Sequence, residues 1–299
     1  MTDLYRLAVI KQGTTRLAVV EKDGAMVPLH LLMGRQEPSF DLDAIIGDWD
    51  TQAASLDAAV AGGDALFGSS DIRADQVEFA LPFTHPGTLT CIGANYHDHV
   101  AEMPVPMTPE YPYAFIMPTR NTLRASGEAV EAPQGVACFD FEAELAVIVG
   151  STAKHLTPDN ALDCVAGYMN FNDLSARDWI ASRPKIGIDW VRHKAHDGFG
   201  PIGPYFVPAR FVPDPQDIPV SLSVNGVTKQ DSTTGQMIYG VVPILCHLSS
   251  IMTLHPGDII ATGTPAGVGH GRTPPEYLSP GDVIRMEIGP LGELVTPVV

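Results

Sequence analysis

The order of apolar and polar positions predicts a chain built mainly from short strands. Apolar runs rich in β-branched residues and bounded by turn residues are typical of strands. The first two runs, at 5–11 and 16–21, are joined through Gln12-Gly13, and Lys22-Asp23-Gly24 turns the chain into a third. These runs predict a small antiparallel meander at the start of the chain. Further strands are predicted at 89–93, 139–149, 167–173 and 218–224, and within 254–269 and 280–288.

Helical spacing is present in fewer segments. Residues 50–60 are rich in alanine and stop at Gly62-Gly63, and 241–252 repeat apolar residues with a period of 3.6. A short helix is predicted at 95–103, and Thr157-Pro158-Asp159 has the features of a helix start. Pro-Gly-Asp precedes an apolar run twice, at 256–260 and at 280–284. Such turn-then-strand units favour a rolled β-sheet over a βαβ fold.

A rigid, turn-forming segment at 81–87 separates the meander from the rest of the chain. We therefore predict an α+β protein, mainly β, with a small N-terminal β-rich α/β domain at 1–80 and a larger domain at 81–299. The Pro-rich stretch at 103–112 is predicted to be a loop or lid rather than core.

Composition and charge exclude several classes of function. The 299 residues carry a formal charge of −17, which disfavours nucleic acid because phosphate contacts need a basic face. The four cysteines form no Cys-x-x-Cys pair and indicate neither a zinc site nor a disulfide scaffold. The N-terminus lacks a basic segment followed by an apolar core, and no apolar run reaches transmembrane length. We expect a soluble, cytoplasmic protein that binds neither nucleic acid nor membranes.

Candidate chemistry begins with two glutamates. Glu142 and Glu144 are two residues apart in a predicted strand, so both side chains point to one face. Like charges this close require a cation or a proton if they are buried. Asp173, at the end of the next predicted strand, supplies a third carboxylate. Three oxygen ligands without cysteine suit Mg²⁺ or Mn²⁺; the alternative is a solvated strand face.

A possible acid–base pair lies on the predicted short helix. His99 and Glu102 are three residues apart and share a face there. A carboxylate beside an imidazole fixes its tautomer and raises its basicity, as a general base requires. Such pairs are also common on ordinary surfaces. Residues 190–199 then bring cations, among them Lys194, back toward the acidic region.

Taken together, five separated motifs resemble the fumarylacetoacetate hydrolase family, from about residue 83 to the C-terminus. The resemblance implies a mixed β-roll catalytic domain, bound Mg²⁺ or Mn²⁺, a homodimer, and cleavage of a carbon–carbon bond in a 2-oxo or 2,4-dioxo acid. The motifs are Gly93-Ala94-Asn95-Tyr96 with His99 and Glu102; Phe141-Glu142-Ala143-Glu144; Asn172-Asp173-Leu174-Ser175-Ala176-Arg177-Asp178; Lys194 with Pro201-Ile202-Gly203-Pro204; and Thr262-Gly263-Thr264-Pro265-Ala266-Gly267-Val268-Gly269.

The resemblance also implies roles for single residues. The family's metal ligands fall on Glu142, Glu144 and Asp173, its His/Glu pair falls on His99 and Glu102, and its lysine falls on Lys194. On this reading His99 activates a water for attack on the distal carbonyl, and the metal holds the charge of the departing enolate. Lys194 and Arg177 would stabilise the oxyanion and the enolate. Thr264 and Gln230 would bind substrate oxygens.

Two further readings remain open. The same metal could serve a decarboxylase or isomerase of 2-oxo dioates such as oxaloacetate, or the fold could be a binding module without catalysis.

The chain also departs from the family pattern, with Met117 where many relatives carry Lys and Ile180 where many carry Gln. Both changes predict a pocket suited to a substrate with a less polar distal part. Trp179 and Trp190 are predicted to be core residues rather than pocket wall.

Overall fold

The computed structural model describes residues 4–38, 40–181 and 187–299. Its strands are β1 (Arg6–Gln12), β2 (Thr15–Lys22), β3 (Ala25–Pro28), β4 (Ile72–Arg73), β5 (Leu89–Gly93), β6 (Tyr113–Met117), β7 (Leu123–Arg124), β8 (Phe139–Asp140), β9 (Ala143–Val149), β10 (Val165–Asn172), β11 (Ser175–Ala176), β12 (Gly200–Pro208), β13 (Pro219–Val224), β14 (Val227–Thr233), β15 (Ile259–Ala261), β16 (Val283–Ile288) and β17 (Glu293–Pro297). Its α-helices are α1 (Leu29–Leu32), α2 (Leu42–Gly47), α3 (Trp49–Ala61), α4 (Asp64–Ser69), α5 (His97–Glu102), α6 (Thr119–Thr122), α7 (Asp178–Ala181), α8 (Trp190–Lys194) and α9 (Val241–Ile251).

One mixed sheet of 11 strands organises the described residues. Its strands follow the order β4-β3-β2-β1-β12-β10-β9-β15-β5-β6, with β7 paired to β12. β15 is parallel to β5 and antiparallel to β9, so the sheet mixes both kinds of pairing. A four-stranded sheet, β14-β13-β16-β17, and the pair β11-β8 complete the strands. The predicted α+β, mainly β fold with a rolled, mixed sheet is confirmed.

The N-terminal meander forms as predicted, because β1, β2 and β3 pair in sequence as antiparallel neighbours. It is also continuous with the main sheet, since β1 pairs with β12 through the partners Leu7 and Phe206. Both residues belong to one hydrophobic core that spans the two halves of the chain. The segments before and after residue 80 therefore share one sheet and one core. Their division into two domains stays a prediction.

The helix predicted to start at Thr157 is wrong. The side chain of Asn160 accepts hydrogen bonds from both the backbone N–H and the hydroxyl of Thr157, which closes a local turn. A single 3-10 turn at Ala161–Cys164 follows, and Val165 already pairs with Val149 in the sheet. The 3-10 turn and strand pairing from Val165 onward thus take the apolar residues that the helix would have used. The predicted helix at α9 is confirmed.

The buried strands β9 and β10 position the candidate site. Every residue of both strands is buried, and they run antiparallel to each other. The start of β9 therefore lies beside the end of β10, where the chain is about to leave the core. Polar side chains at this end of the strand pair are held close together by the sheet.

None of the described helices is long and apolar enough to cross a membrane.

Candidate active site

Three carboxylates meet where β9 begins and β10 ends. Glu144 lies in β9, Glu142 directly precedes it, and Asp173 directly follows β10. The backbone N–H of Asp173 donates to the carbonyl of Glu142 at 3.0 Å, which joins the two segments. One carboxylate oxygen from each residue lies within 4.8 Å of the others, and all three residues are buried. We call these three residues the acid cluster.

Two buried cations contact the acid cluster. The ammonium of Lys194 lies 2.6 Å from Glu142 and 2.8 Å from Asp173. The guanidinium of Arg177 contacts Glu142 and, through Nε, Asp140 at 2.9 Å. Both cations are almost fully buried, Lys194 at 2% exposure and Arg177 at 7%. Buried ionic groups at these distances are strongly coupled, so a change of charge on one alters the others.

The pKa values of the carboxylates differ because the cations are unevenly shared. Burial alone raises the pKa of Glu142, but Arg177 and Lys194 outweigh it and hold that pKa well below its usual range. Burial raises the pKa of Asp173 to about 7, although Lys194 acts in the opposite direction. Burial, together with the charges of Asp173 and Glu142, raises the pKa of Glu144 far above its ordinary value. Glu144 is the carboxylate that most needs a further cation.

The residues fit a divalent cation with oxygen ligands. Asp140 joins the acid cluster through Arg177, so four buried carboxylates face two cations and a divalent ion would balance the remaining charge. In addition, Oδ1 of Asp173 is buried and makes no hydrogen bond. A buried carboxylate oxygen without a partner is costly, and a bound ion would satisfy it. An all-oxygen set of this kind suits Mg²⁺ or Mn²⁺.

His99 and Glu102 form a pair on α5. Nδ1 of His99 lies 2.7 Å from one oxygen of Glu102, as their spacing on a helix allows. The other oxygen of Glu102 accepts the backbone N–H of Gly267 at 2.8 Å. Glu102 is therefore fixed from two sides, and it holds the imidazole in one orientation. His99 is 7% exposed, so the pair is largely shielded from solvent.

The Gly-rich loop after β15 approaches the site through its backbone. The N–H of Gly263 donates to Glu144 at 2.8 Å, while that of Gly267 donates to Glu102. Both glycines have positive φ, 92° and 104°, and an added Cβ at Gly267 would lie 2.1 Å from the carbonyl of Lys229. Only glycine fits this close approach. The loop thus connects the acid cluster with the histidine pair.

Thr264 and Gln230 lie side by side, but only Thr264 reaches the cavity described below. The Thr264 hydroxyl donates to the carbonyl of Ala143 at 2.9 Å and accepts from Gln230 at 2.8 Å. Gln230 is fully buried and uses its amide oxygen on the N–H of Ala143. It supports Thr264 and the start of β9 from behind. Direct contact between Gln230 and substrate stays a prediction.

One cavity of about 1110 Å³ contains these groups. Its inner end is lined by the predicted catalytic, metal and substrate residues other than Gln230. Its outer part is lined mainly by apolar side chains from the 103–112 loop, β6, α7 and α8. The inner residues are His99, Glu102, Glu142, Glu144, Asp173, Arg177, Lys194 and Thr264.

The structure adds three residues that the sequence analysis did not assign. Asp140 accepts hydrogen bonds from the backbone N–H groups of Gly269 and His270 and from the guanidinium of Arg177. It lies two residues before Glu142, and this alternation along a predicted strand is the sequence signal that could have identified it. The other two, His193 and His270, line the cavity, whereas Asp140 lies behind Arg177 and does not. Burial, reinforced by Lys194 and Arg177, lowers the pKa of His193 to about 3. Sequence spacing gave no signal for His193.

Two expectations about apolar residues need correction. Trp190 packs against the core, as predicted, but it also lines the cavity and is therefore pocket wall as well. The reason is its place at the start of α8, the helix that carries Lys194 into the site. Ile180 lines the cavity as expected of a pocket residue, whereas Met117 is buried on β6 against Cys91 and does not line it.

A comparison with known families finds a match over the larger part of the chain. The family model described as fumarylacetoacetate (FAA) hydrolase C-terminal matches residues 88–299. The chain belongs to the fumarylacetoacetate hydrolase family. The matched region contains the acid cluster, the histidine pair, Lys194 and the Gly-rich loop.

Relatives within the family carry out different reactions. A Xenopus laevis protein named oxaloacetate tautomerase fahd2, mitochondrial, is 38% identical over 224 residues, 75% of this chain and 69% of its own. A Sphingomonas 2,4-didehydro-3-deoxy-L-rhamnonate hydrolase is 35% identical over 263 residues, 87% of this chain and 90% of its own. The structure of a fumarylacetoacetate hydrolase from Exiguobacterium antarcticum superimposes with a TM-score of 0.80 at 32% identity, covering 98% of this chain and 99% of its own. The family relation indicates an enzyme that processes a 2-oxo acid.

Proposed function

We propose that the protein is a divalent-metal-dependent hydrolase that cleaves a carbon–carbon bond in a 2,4-dioxo acid of the acylpyruvate type. One observation carries the proposal: a single cavity holds both the acid cluster and the His99–Glu102 pair. A carboxylate triad by itself would serve many metal enzymes. The oriented histidine beside it adds the proton acceptor that hydrolysis needs.

The proposed reaction assigns the proton transfer to His99. With Nδ1 directed to Glu102, the other ring nitrogen is available to take a proton from water. The water oxygen bonds to the distal carbonyl carbon, and the adjacent carbon–carbon bond breaks. Its electron pair passes into the enolate of pyruvate, which is then protonated on carbon, and the acyl part leaves as a carboxylic acid. Atoms balance with water as the only co-substrate.

The remaining site residues bind and orient the substrate. A Mg²⁺ or Mn²⁺ ion held by Glu142, Glu144 and Asp173 would supply Lewis-acid chemistry at the 2-oxo acid head. We propose that Lys194, and Arg177 behind it, stabilise negative charge on substrate oxygens, because both are buried cations on the same cavity. Thr264 is placed to bind a substrate oxygen at the inner end, with Gln230 fixing its position.

A second candidate is an isomerase, tautomerase or decarboxylase of 2-oxo dioates that uses the same metal ligands. The 38% identity to the Xenopus laevis oxaloacetate tautomerase favours it. A tautomerase moves a proton between carbon and oxygen and needs no attacking water. The two candidates therefore share the acid cluster and differ in what His99 does.

The deciding experiment measures pyruvate release from 2,4-dioxo acids and from oxaloacetate, and oxaloacetate enolisation by ultraviolet absorbance. Each assay is run with Mg²⁺ or Mn²⁺ and again with chelator. Metal-dependent pyruvate from the dioxo acids supports the hydrolase. Enolisation of oxaloacetate, or pyruvate from oxaloacetate alone, supports the second candidate. Turnover that is unaffected by chelator contradicts both.

His99→Ala gives an independent test of the hydrolase. Loss of a general base lowers turnover by about 100- to 10,000-fold, while Mn²⁺ binding is expected to persist because the ligands are unchanged. The matched control is His97→Ala, which removes an exposed histidine from the same helix. Hydrolysis that survives in His99→Ala would remove this residue from the mechanism.

We also propose that the enzyme acts as a cytoplasmic homodimer, in line with the family resemblance. Sedimentation velocity of the purified chain tests the dimer, and a monomer at micromolar concentration contradicts it. Fractionation of the source cells tests the location.

A further inference from the structure

The cavity is larger than the chemistry at its inner end requires. The acid cluster, His99 and Lys194 occupy only one end of about 1110 Å³. Pockets of about 300 to 1,000 Å³ hold drug-sized ligands. A pyruvate head is much smaller than such a ligand, so it would fill only the inner end. The outer part is therefore available to the acyl group of the substrate, and its lining determines which acyl group fits.

An aromatic wall forms one side of the outer part. The rings of Phe115 on β6 and Trp190 on α8 stack with centroids 4.1 Å apart and an angle of 4° between their planes. Tyr113 lies beside them, with its hydroxyl accepting from the Trp190 indole at 3.3 Å. All three line the cavity. The indole N–H is thus paired with the tyrosine oxygen, and the stacked faces of Phe115 and Trp190 are apolar.

Two apolar side chains of the 103–112 loop add to this lining and are unusually exposed. Val105 and Met107 of the 103–112 loop line the cavity with 75% and 71% of their surfaces exposed. The loop is anchored, because the hydroxyl of Tyr239 donates to the carbonyl of Pro109 at 2.8 Å. Large apolar side chains held at the mouth of a cavity indicate a surface that a ligand covers.

The charges around the outer part do not favour a second acid on the substrate. Among the described lining residues, the Lys and Arg side chains are Lys194 and Arg177, and both are paired with carboxylates at the inner end. The loop adds an acid, Glu110, at the mouth. Two more basic residues, Arg183 and Lys185, lie outside the described residues, so the test below includes a distal carboxylate that such side chains would favour.

On the basis of the function proposed above, we propose that the substrate is a 2-oxo acid whose distal acyl group is apolar and ring-sized, and that it packs between the Phe115–Trp190 wall and Met107. Ile180 adds a further apolar side chain to the lining of the same cavity. Apolar contact of this size selects by burial rather than by hydrogen bonding.

Three probes with the same 2-oxo acid head test the acyl preference. They are 2,4-dioxo-4-phenylbutanoate, its 4-carboxyphenyl counterpart and 2,4-dioxopentanoate. The phenyl probe is expected to exceed each of the other two by about tenfold or more, in kcat/KM and in affinity. Affinity is measured by calorimetry with Mn²⁺ present, so the ranking is obtained whether or not the probes turn over.

Variants of the wall locate the preference. Trp190→Ala is expected to reduce the advantage of phenyl over methyl to about twofold, because half of the stacked wall is lost. The matched control is Val191→Ala, since Val191 is the next residue, is 72% exposed and does not line the cavity. Met107→Lys, at a loop position that is 71% exposed, is expected to fold normally and to shift the preference toward the carboxylated probe.

Each outcome bears on one of the two proposals. A phenyl preference that Trp190→Ala removes and Val191→Ala keeps supports the apolar acyl site. Equal or better use of the carboxylated or methyl probe overturns it, while turnover still supports the hydrolase. Binding that ranks phenyl first without any turnover supports the acyl site and contradicts the hydrolase. Absence of binding by all three probes overturns the acyl site.

Discussion

Lys194 lies 2.6 Å from Glu142 although 52 residues separate them in the chain. Burial by itself lowers the pKa of Lys194, but Asp173 and Glu142 outweigh burial and keep it above its ordinary value. The ammonium is therefore charged inside the core. It neutralises part of the acid cluster in the metal-free protein, and a bound divalent cation would act on the same carboxylates.

Lys194→Met is expected to destabilise the metal-free protein. Removing one partner of a buried ion pair leaves uncompensated carboxylates and costs about 3–5 kcal/mol. Mn²⁺ should restore part of this loss, so its effect on Tm is larger in the variant than in the wild type. The measurement is thermal unfolding with chelator and with Mn²⁺. Lys11→Met, at a surface pair with Glu78, is the control and should change stability by less than about 1 kcal/mol. An equal Mn²⁺ effect in wild type and Lys194→Met would contradict this account.

Glu144→Gln is expected to have opposite effects on metal binding and on stability. The variant loses a metal ligand, so the Kd for Mn²⁺ should rise at least tenfold, the lower end of about 10- to 100-fold for groups around a metal. It also loses a buried acid repelled by Asp173 and Glu142, and the amide can still accept the N–H of Gly263. Tm without metal should therefore stay equal or rise.

Calorimetric Mn²⁺ titration and thermal unfolding measure these two effects. Glu287→Gln on the exposed side of β16 is the control, and it should change neither quantity. Unchanged Mn²⁺ affinity in Glu144→Gln would show that the ion is not held by the acid cluster.

His193 is expected to make stability depend on pH. Its Nδ1 donates to the carbonyl of Ala176 at 3.0 Å, and its pKa is about 3 in the folded protein against about 6.5 in an unfolded chain. The folded state resists protonation, so this contribution is complete above pH 6.5 and is lost as pH falls from there toward 3. Between pH 6.5 and 5 the wild type should lose about 1.5 kcal/mol more than His193→Gln.

Urea unfolding in chelator at several pH values measures the difference. His85→Gln, at an exposed position distant in sequence from His193, serves as the control. Its stability should change with pH as that of the wild type does. Parallel curves for wild type and His193→Gln would show that the imidazole does not stay neutral in the folded protein as the pH falls.

Local patterns predicted much of the fold because they depend on neighbours along the chain. The turns after β1 and β2, the alanine-rich α3 and the apolar period of α9 were all readable in this way. The prediction of a helix starting at Thr157 was wrong because the structure of this segment does not depend on its local sequence alone. Residues from Val165 onward pair with β9, which is specified by residues far away in sequence.

By itself the sequence determined the chemical groups: three carboxylates, a histidine with its glutamate one helical turn away, and a lysine, in an order that matches the family. Fixed periods of strands and helices place Glu142 near Glu144 and His99 near Glu102. Only the tertiary structure decided how these groups are charged and what surrounds them. Lys194 and the Phe115–Trp190 wall reach the cavity, and Asp140 reaches Arg177, through sheet pairing and burial. Both depend on contacts between residues that the chain order does not bring together.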